Sequence, residues 1–198
     1  LLLAAALVPL LGRAQYWRAI GRGVPYHGQV QLLYGDSVGN RLIGAGPWPV
    51  IYNQTDTIEA TGIAAWNGLR WDSLGHRLAP AALQTHCLER FNGVLYASGN
   101  WYFQNENGQW TTGFARFNDT TRRWSDLGCY NPQFSGLGTL TLKADGSGFY
   151  CTGWMGDPCT LPEAPVFTYD GSTYASWAPG QQIPFDAGDY VGFVFEFR

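Results

Sequence analysis

Charge is scarce in this 198-residue chain. Only 14% of residues are Asp, Glu, Lys or Arg, against about 25% in a typical soluble domain. The formal net charge is −3, so no basic footprint exists for a phosphate backbone and nucleic acid is not an expected partner. No block of like charges marks an interaction tail. The apolar run from Leu1 to Leu11 falls short of the ~20 residues a membrane-spanning helix needs, so no membrane span is expected. Histidine is nearly missing as well: His27, His76 and His86 have no metal-ligand spacing, and neither a metal site nor a cofactor is expected from them.

Turn formers and aromatic residues fill the space that charge leaves. The chain has 26 Gly, nine Trp, 11 Tyr and 11 Phe, a composition that predicts strands and many turns. One stretch sets the pattern: Leu95 to Gly128, LYASGNWYFQNENGQWTTGFARFNDTTRRWSDLG. It predicts an aromatic strand closed by Gly99, a polar loop, a second strand Gly113 to Asn118, and a last strand ending Trp124-Ser125-Asp126-Leu127-Gly128. The same order is written upstream as LIGAGPW, GIAAWNG and RWDSLG, and downstream as FYCTGW, VFTYDG and, degraded, TYASWAPG. The strand-closing glycines Gly46, Gly99 and Gly153 are 53 and 54 residues apart. A strand-only unit of that length is the signature of a propeller blade.

Three such repeats are expected, over about residues 28–75, 82–128 and 137–180. Their hairpins are marked by Asn67-Gly68, Asn92-Gly93, Asp145-Gly146 and Asp170-Gly171, residue types that tolerate the positive φ of tight primed turns. Residues 190–198 predict the first strand of a further blade. Tyr16 to Gly21 matches the last strand of a blade, placed best in ring closure with strands from the other end of the chain. Residues 1–14 have the apolar run and the small-x-small Gly12-Arg13-Ala14 of a partial signal peptide. The expected fold class is all-β, a fragment of a β-propeller with four-stranded antiparallel blades, lying in residues 15–198.

The strand ending in Gly, the variable loop, the aromatic strand with its Asn-Gly or Asp-Gly turn, and Trp-x-x-Leu-Gly together resemble kelch-type β-propeller repeats. They resemble still more the repeats of exported bacterial propeller proteins, and the resemblance covers Tyr16 to Arg198. A kelch repeat usually carries a Gly-Gly doublet where this chain has Ala45-Gly46, Ser98-Gly99 and Thr152-Gly153. Galactose oxidase shares the kelch architecture, but no segment here matches the setting of its copper site. The resemblance implies a secreted or cell-surface propeller and is almost silent on activity.

Function is therefore sought in the long loops 47–61, 100–112 and 154–164, which such a topology gathers on one face. Each opens near a tryptophan, Trp48, Trp101 or Trp154. These rings either stack on a glycan or a partner protein, or plug the gaps between blades. The loop carboxylates Glu59, Glu106, Asp157 and Glu163 leave a glycan-active hydrolase or lyase open, but sequence places no two of them at the ~5–9 Å that glycoside hydrolysis uses. The expectation is an extracellular binding or adhesion protein that contacts a glycan or a protein, with no catalytic residue assigned. Four cysteines allow three pairings in an oxidising compartment. Cys129 and Cys159 fall on the same face and are the expected disulfide, with Cys151-Cys159 as the alternative, while Cys87 and Cys151 lie in strands as candidate buried thiols.

Overall fold

The structure is a computed structural model, and it describes residues 22–25, 28–60, 62–75, 84–104, 110–127, 137–153 and 166–176. The described residues are all strand, turn and loop, with no helix, so none of them forms a helix long and apolar enough to cross a membrane. The chain is all-β and is built from four-stranded antiparallel sheets.

The first sheet comes from β1 (Leu32–Asp36), β2 (Arg41–Ala45), β5 (Ile63–Trp66) and β6 (Trp71–Ser73), with β3 (Val50–Tyr52) and β4 (Thr57–Glu59) forming a separate hairpin between β2 and β5. The second sheet is β7 (Gln84–Phe91), β8 (Val94–Gln104), β9 (Trp110–Asn118) and β10 (Arg123–Asp126). The third is β11 (Leu137–Leu142), β12 (Phe149–Gly153), β13 (Val166–Tyr169) and β14 (Tyr174–Ser176). Each sheet pairs its strands in chain order, so the first-to-second and third-to-fourth turns share one end and the longer connections lie at the other. Asn92 and Gly93 carry φ of 50° and 78° at the β7–β8 turn, the double positive φ that a type I′ hairpin demands.

Alternation along the strands decides how the sheets stack. In β8, Leu95 and Ala97 face the first sheet, joining Ile43, Ala45, Ile63, Ala65, Phe117 and Trp124 in one core. Tyr96, one residue out of phase, faces the third sheet with Phe91, Phe114, Phe149, Phe167 and Tyr169. The second sheet is thus buried on both faces, which is why Val94, Leu95, Tyr96 and Ala97 run consecutively apolar along its central strand β8. Each fully buried Leu or Phe in these layers contributes about 1.5–3 kcal/mol.

Two segments expected to be loop are strand. The 47–61 connection contains the β3–β4 hairpin, which folds back on the first sheet and packs Ile51, Ala60 and Trp48 against Ala64 and Trp71. Gly99 does not end its strand, because β8 runs on to Gln104 and pairs with β9 after a register irregularity between Ser98 and Tyr102. A glycine beside a bulge lets the strand bend and continue.

Candidate functional site

Of the three tryptophans of the expected binding face, two lie among the described residues. Trp48 is 2% exposed and its indole N–H donates to the Gln29 carbonyl at 3.1 Å. It fills the space between the β3–β4 hairpin and the first sheet, so its ring offers no stacking surface; of the two roles open to it, packing is the one it plays. Trp101 lies within β8. Trp154 falls outside the described residues, as do Cys129 and Cys159, so their expected pairing has no structural account.

Around Trp101 the backbone makes an arm. Among the described residues, β7 pairs with β8 as far as Asn100, and β10 pairs with β9 from Ala115 to Asn118. Beyond both, Tyr102, Phe103 and Gln104 pair with Thr112, Thr111 and Trp110 as a two-stranded ribbon. This ribbon stands at the end of the long connections and carries four aromatic positions, Trp101, Tyr102, Phe103 and Trp110.

The opposite end, where the tight turns lie, holds a charge network that joins the first two sheets. The Asp36 carboxylate is fully buried and accepts the Gly39 N–H at 3.0 Å, Arg41 Nε at 2.8 Å, and Arg90 Nε and Nη2 at 2.6 and 2.8 Å. Asp119 closes the circuit, accepting Arg41 Nη2 at 2.7 Å and Arg90 Nη2 at 3.0 Å, and Arg90 Nη1 also donates to the Gly93 carbonyl. Burial alone pushes the Asp36 carboxyl up, but the hydrogen bonds from Arg90 and Gly39 and the nearby positive charges outweigh it and hold it at about 2. Two carboxylates and two guanidinium groups leave the cluster neutral and mutually satisfied, as a structural clamp rather than a reactive site.

A cleft of about 450 Å³ opens beside the clamp, lined by Gly35, Arg41, Leu42, Trp66 and Asn67 among others. Its floor is a cross-strand row, since Gly35 opposes Leu42, Leu42 opposes Trp66 and Trp66 opposes Trp71. The amide of Asn67 is engaged within its own turn: Oδ1 accepts the Leu69 and Arg70 N–H groups and Nδ2 donates to Asp72.

Of the loop carboxylates weighed for catalysis, one falls among the described residues. Glu59 is exposed on β4, and Glu106, Asp157 and Glu163 lie outside the described residues. Asp145 and Asp170 are turn formers: Asp170 accepts the Thr173 and Ser172 N–H groups and both hydroxyls, which hold its carboxyl well below the usual range. Asn53, the first residue of an Asn-Gln-Thr sequon, is 3% exposed and doubly hydrogen-bonded, so its amide is closed to glycosylation in the folded chain. Among the described residues no three His, Cys, Asp or Glu side chains come together to hold a metal. Sequence reasoning did not find the clamp, because its four charges are scattered from position 36 to position 119 and only sheet stacking brings them together. Comparison with family models, with curated proteins and with solved structures gives no match for this chain.

Proposed function

We propose that the chain supplies successive blades of a secreted, non-catalytic β-propeller that binds an extracellular glycan or protein through its long-connection face. The observation that carries the binding reading is the β8–β9 ribbon, which extends past the other described strands of its sheet and brings Trp101, Tyr102, Phe103 and Trp110 onto one pair of strands. Aromatic residues on a paired backbone suit stacking and broad contact, because little conformational entropy is lost when the partner arrives. Two further features support the propeller architecture. The sheets are meanders stacked face to face, and their first strands β1, β7 and β11 are neighbours in succession, the pattern of radial repetition.

The test is a glycan array on the secreted protein, beside a Trp101→Ala variant. Binding should be weakened about five- to 150-fold in the variant, taking a stacked ring as worth ~1–3 kcal/mol by the measure of base–aromatic stacking. Unchanged binding would reject the arm as the site, and turnover of a bound glycan would move the protein to the glycan-active enzymes.

A further inference from the structure

Cys87 and Cys151 sit on the facing surfaces of two neighbouring sheets. Cys87 lies on β7, opposite Ser98, and is half-buried. Cys151 lies on β12, opposite Leu140 and Phe167, and is completely buried. Both belong to the core between the second and third sheets, and both are free thiols. The Cys87 thiol donates to the Leu140 carbonyl at 3.3 Å. It therefore reaches across the sheet interface to the strand that pairs with β12. Leu140 and Cys151 are directly opposed, and opposed residues of an antiparallel pair have Cα atoms about 4.5–5.5 Å apart. The Cys87 sulfur thus touches the residue directly opposed to Cys151, inside the core that the two cysteines share.

We propose that Cys87 and Cys151 form an inter-sheet disulfide when the protein folds in an oxidising compartment. The reaction is thiol–disulfide exchange with a low-molecular-weight disulfide or a disulfide oxidoreductase. The thiolate of one cysteine attacks the oxidant, a mixed disulfide forms, and the second thiolate displaces the leaving thiol. Two protein thiols are oxidised to one S–S bond, and one oxidant disulfide is reduced to two thiols. Cys87 gives up its S–H and with it the hydrogen bond to Leu140. Cys87 attacks the oxidant first, because it alone of the two is partly open to solvent, and Cys151 resolves the mixed disulfide from inside the interface. The bond closes a loop of more than sixty residues and fastens the third sheet to the second across an interface of packed aromatic rings. It also leaves Cys129 and Cys159 to each other, so the expected pairing of those two and this one are compatible. The inference rests on the secreted reading only for where oxidation happens, and the geometry is testable in a tube.

The full chain is refolded in a glutathione redox buffer, alkylated and mapped without reduction. Trypsin isolates Cys87 on residues 78–90 but leaves Cys151 and Cys159 together on residues 144–198, so chymotryptic cleavage after Trp154 is added to separate them. The expected product is a cross-linked pair containing Cys87 and Cys151. Reduction should lower the Tm of the oxidised protein by several degrees, and the Cys87→Ser variant, whose hydroxyl can still donate to Leu140, should lose that dependence on reductant through this bond. Alkylated monomeric Cys87 and Cys151 in folded, oxidised protein, or either of them joined to Cys129 or Cys159, overturns the proposal. Its failure leaves the binding arm untouched, since Trp101→Ala reads that site alone.

Discussion

Trp124 explains why Trp-x-x-Leu-Gly is a unit of sequence without being a unit of contact. Its indole N–H donates to the Leu74 carbonyl at 2.7 Å, and its ring covers Gly75, so the Trp of one repeat meets the Leu-Gly of the repeat before it. A Cβ on Gly75 would stand 2.8 Å from Trp124 Cδ1, and the residue has φ +91°, a conformation that side chains resist. Gly75→Ala combines that backbone strain with a clash and should cost about 2 kcal/mol or more. Trp124→Phe keeps an aromatic ring but removes the N–H and half of the indole, stranding the buried Leu74 carbonyl beside a small void, for at least about 1–3 kcal/mol. Chemical denaturation of both variants checks the pair; a Gly75→Ala protein as stable as wild type would show that Trp124 is free to move. In the third sheet the matching position is Tyr174, which packs against Phe114, Phe167 and Tyr169 instead.

At the scale of elements, Asn53 shows what the β3–β4 hairpin is for. Its Oδ1 accepts the Trp71 N–H at 2.7 Å and its Nδ2 donates to the Trp71 carbonyl at 3.0 Å. One carboxamide thus stands in for a neighbouring strand at the edge strand β6 and shields it from edge-to-edge pairing. Asn53→Ala removes both of these hydrogen bonds from a buried place, and should destabilise by about 2–4 kcal/mol; hydrogen exchange should report the loss first at Trp71. Retained protection of that amide would contradict the capping role. The hairpin was illegible in the sequence for a clear reason. Val50-Ile51-Tyr52 and Thr57-Ile58-Glu59 are strand-forming triplets, but the other two repeats have no counterpart, so repeat logic assigns them to a loop. The repeat strands themselves were legible because turn residues and alternating apolar positions fix them locally, as at Gln84–Phe91. The β8–β9 arm was half legible: its aromatic residues stood out, but Gly99 hid the continuation of the strand. Trp48 misled because its position after a glycine says nothing of which side its ring takes, and only the hairpin above it decides that.

Across the whole molecule, the two sheet interfaces are held by different chemistry. Between the second and third sheets the contact is aromatic, with Phe91, Tyr96 and Phe114 edge-on to Phe149 at ring distances of 5.1 to 6.4 Å. Between the first and second it is apolar in the middle and ionic at the turn end. Corresponding rows make the asymmetry plain: in the second sheet Arg90, Leu95, Phe117 and Trp124 oppose one another in succession, and in the first Gly35, Leu42, Trp66 and Trp71 do. Arg90 reaches forward to Asp36, whereas Gly35 has nothing within 4 Å of where its Cβ would be, which is what leaves the cleft open. Acid should therefore loosen one interface before the other. Asp36 has a folded pKa of about 2, below the ~3.9 of an unfolded aspartate. Its stabilisation is fully present above about pH 4 and is lost as pH falls toward 2, because the unfolded chain takes up the proton first. Asp36→Asn should cost about 3 kcal/mol at neutral pH, since Arg41 and Arg90 would keep only the part-exposed Asp119. Urea midpoints of wild type and variant should then converge as pH falls through that window. Hydrogen exchange at neutral pH should place the variant's lost protection at the β1–β2 and β7–β8 turns, with β12 and β13 unchanged. Parallel stability curves from pH 6 to 2 would mean that other carboxylates govern the acid limb and that the clamp contributes little, while protection lost equally in all three sheets would mean that the ionic and aromatic interfaces open together.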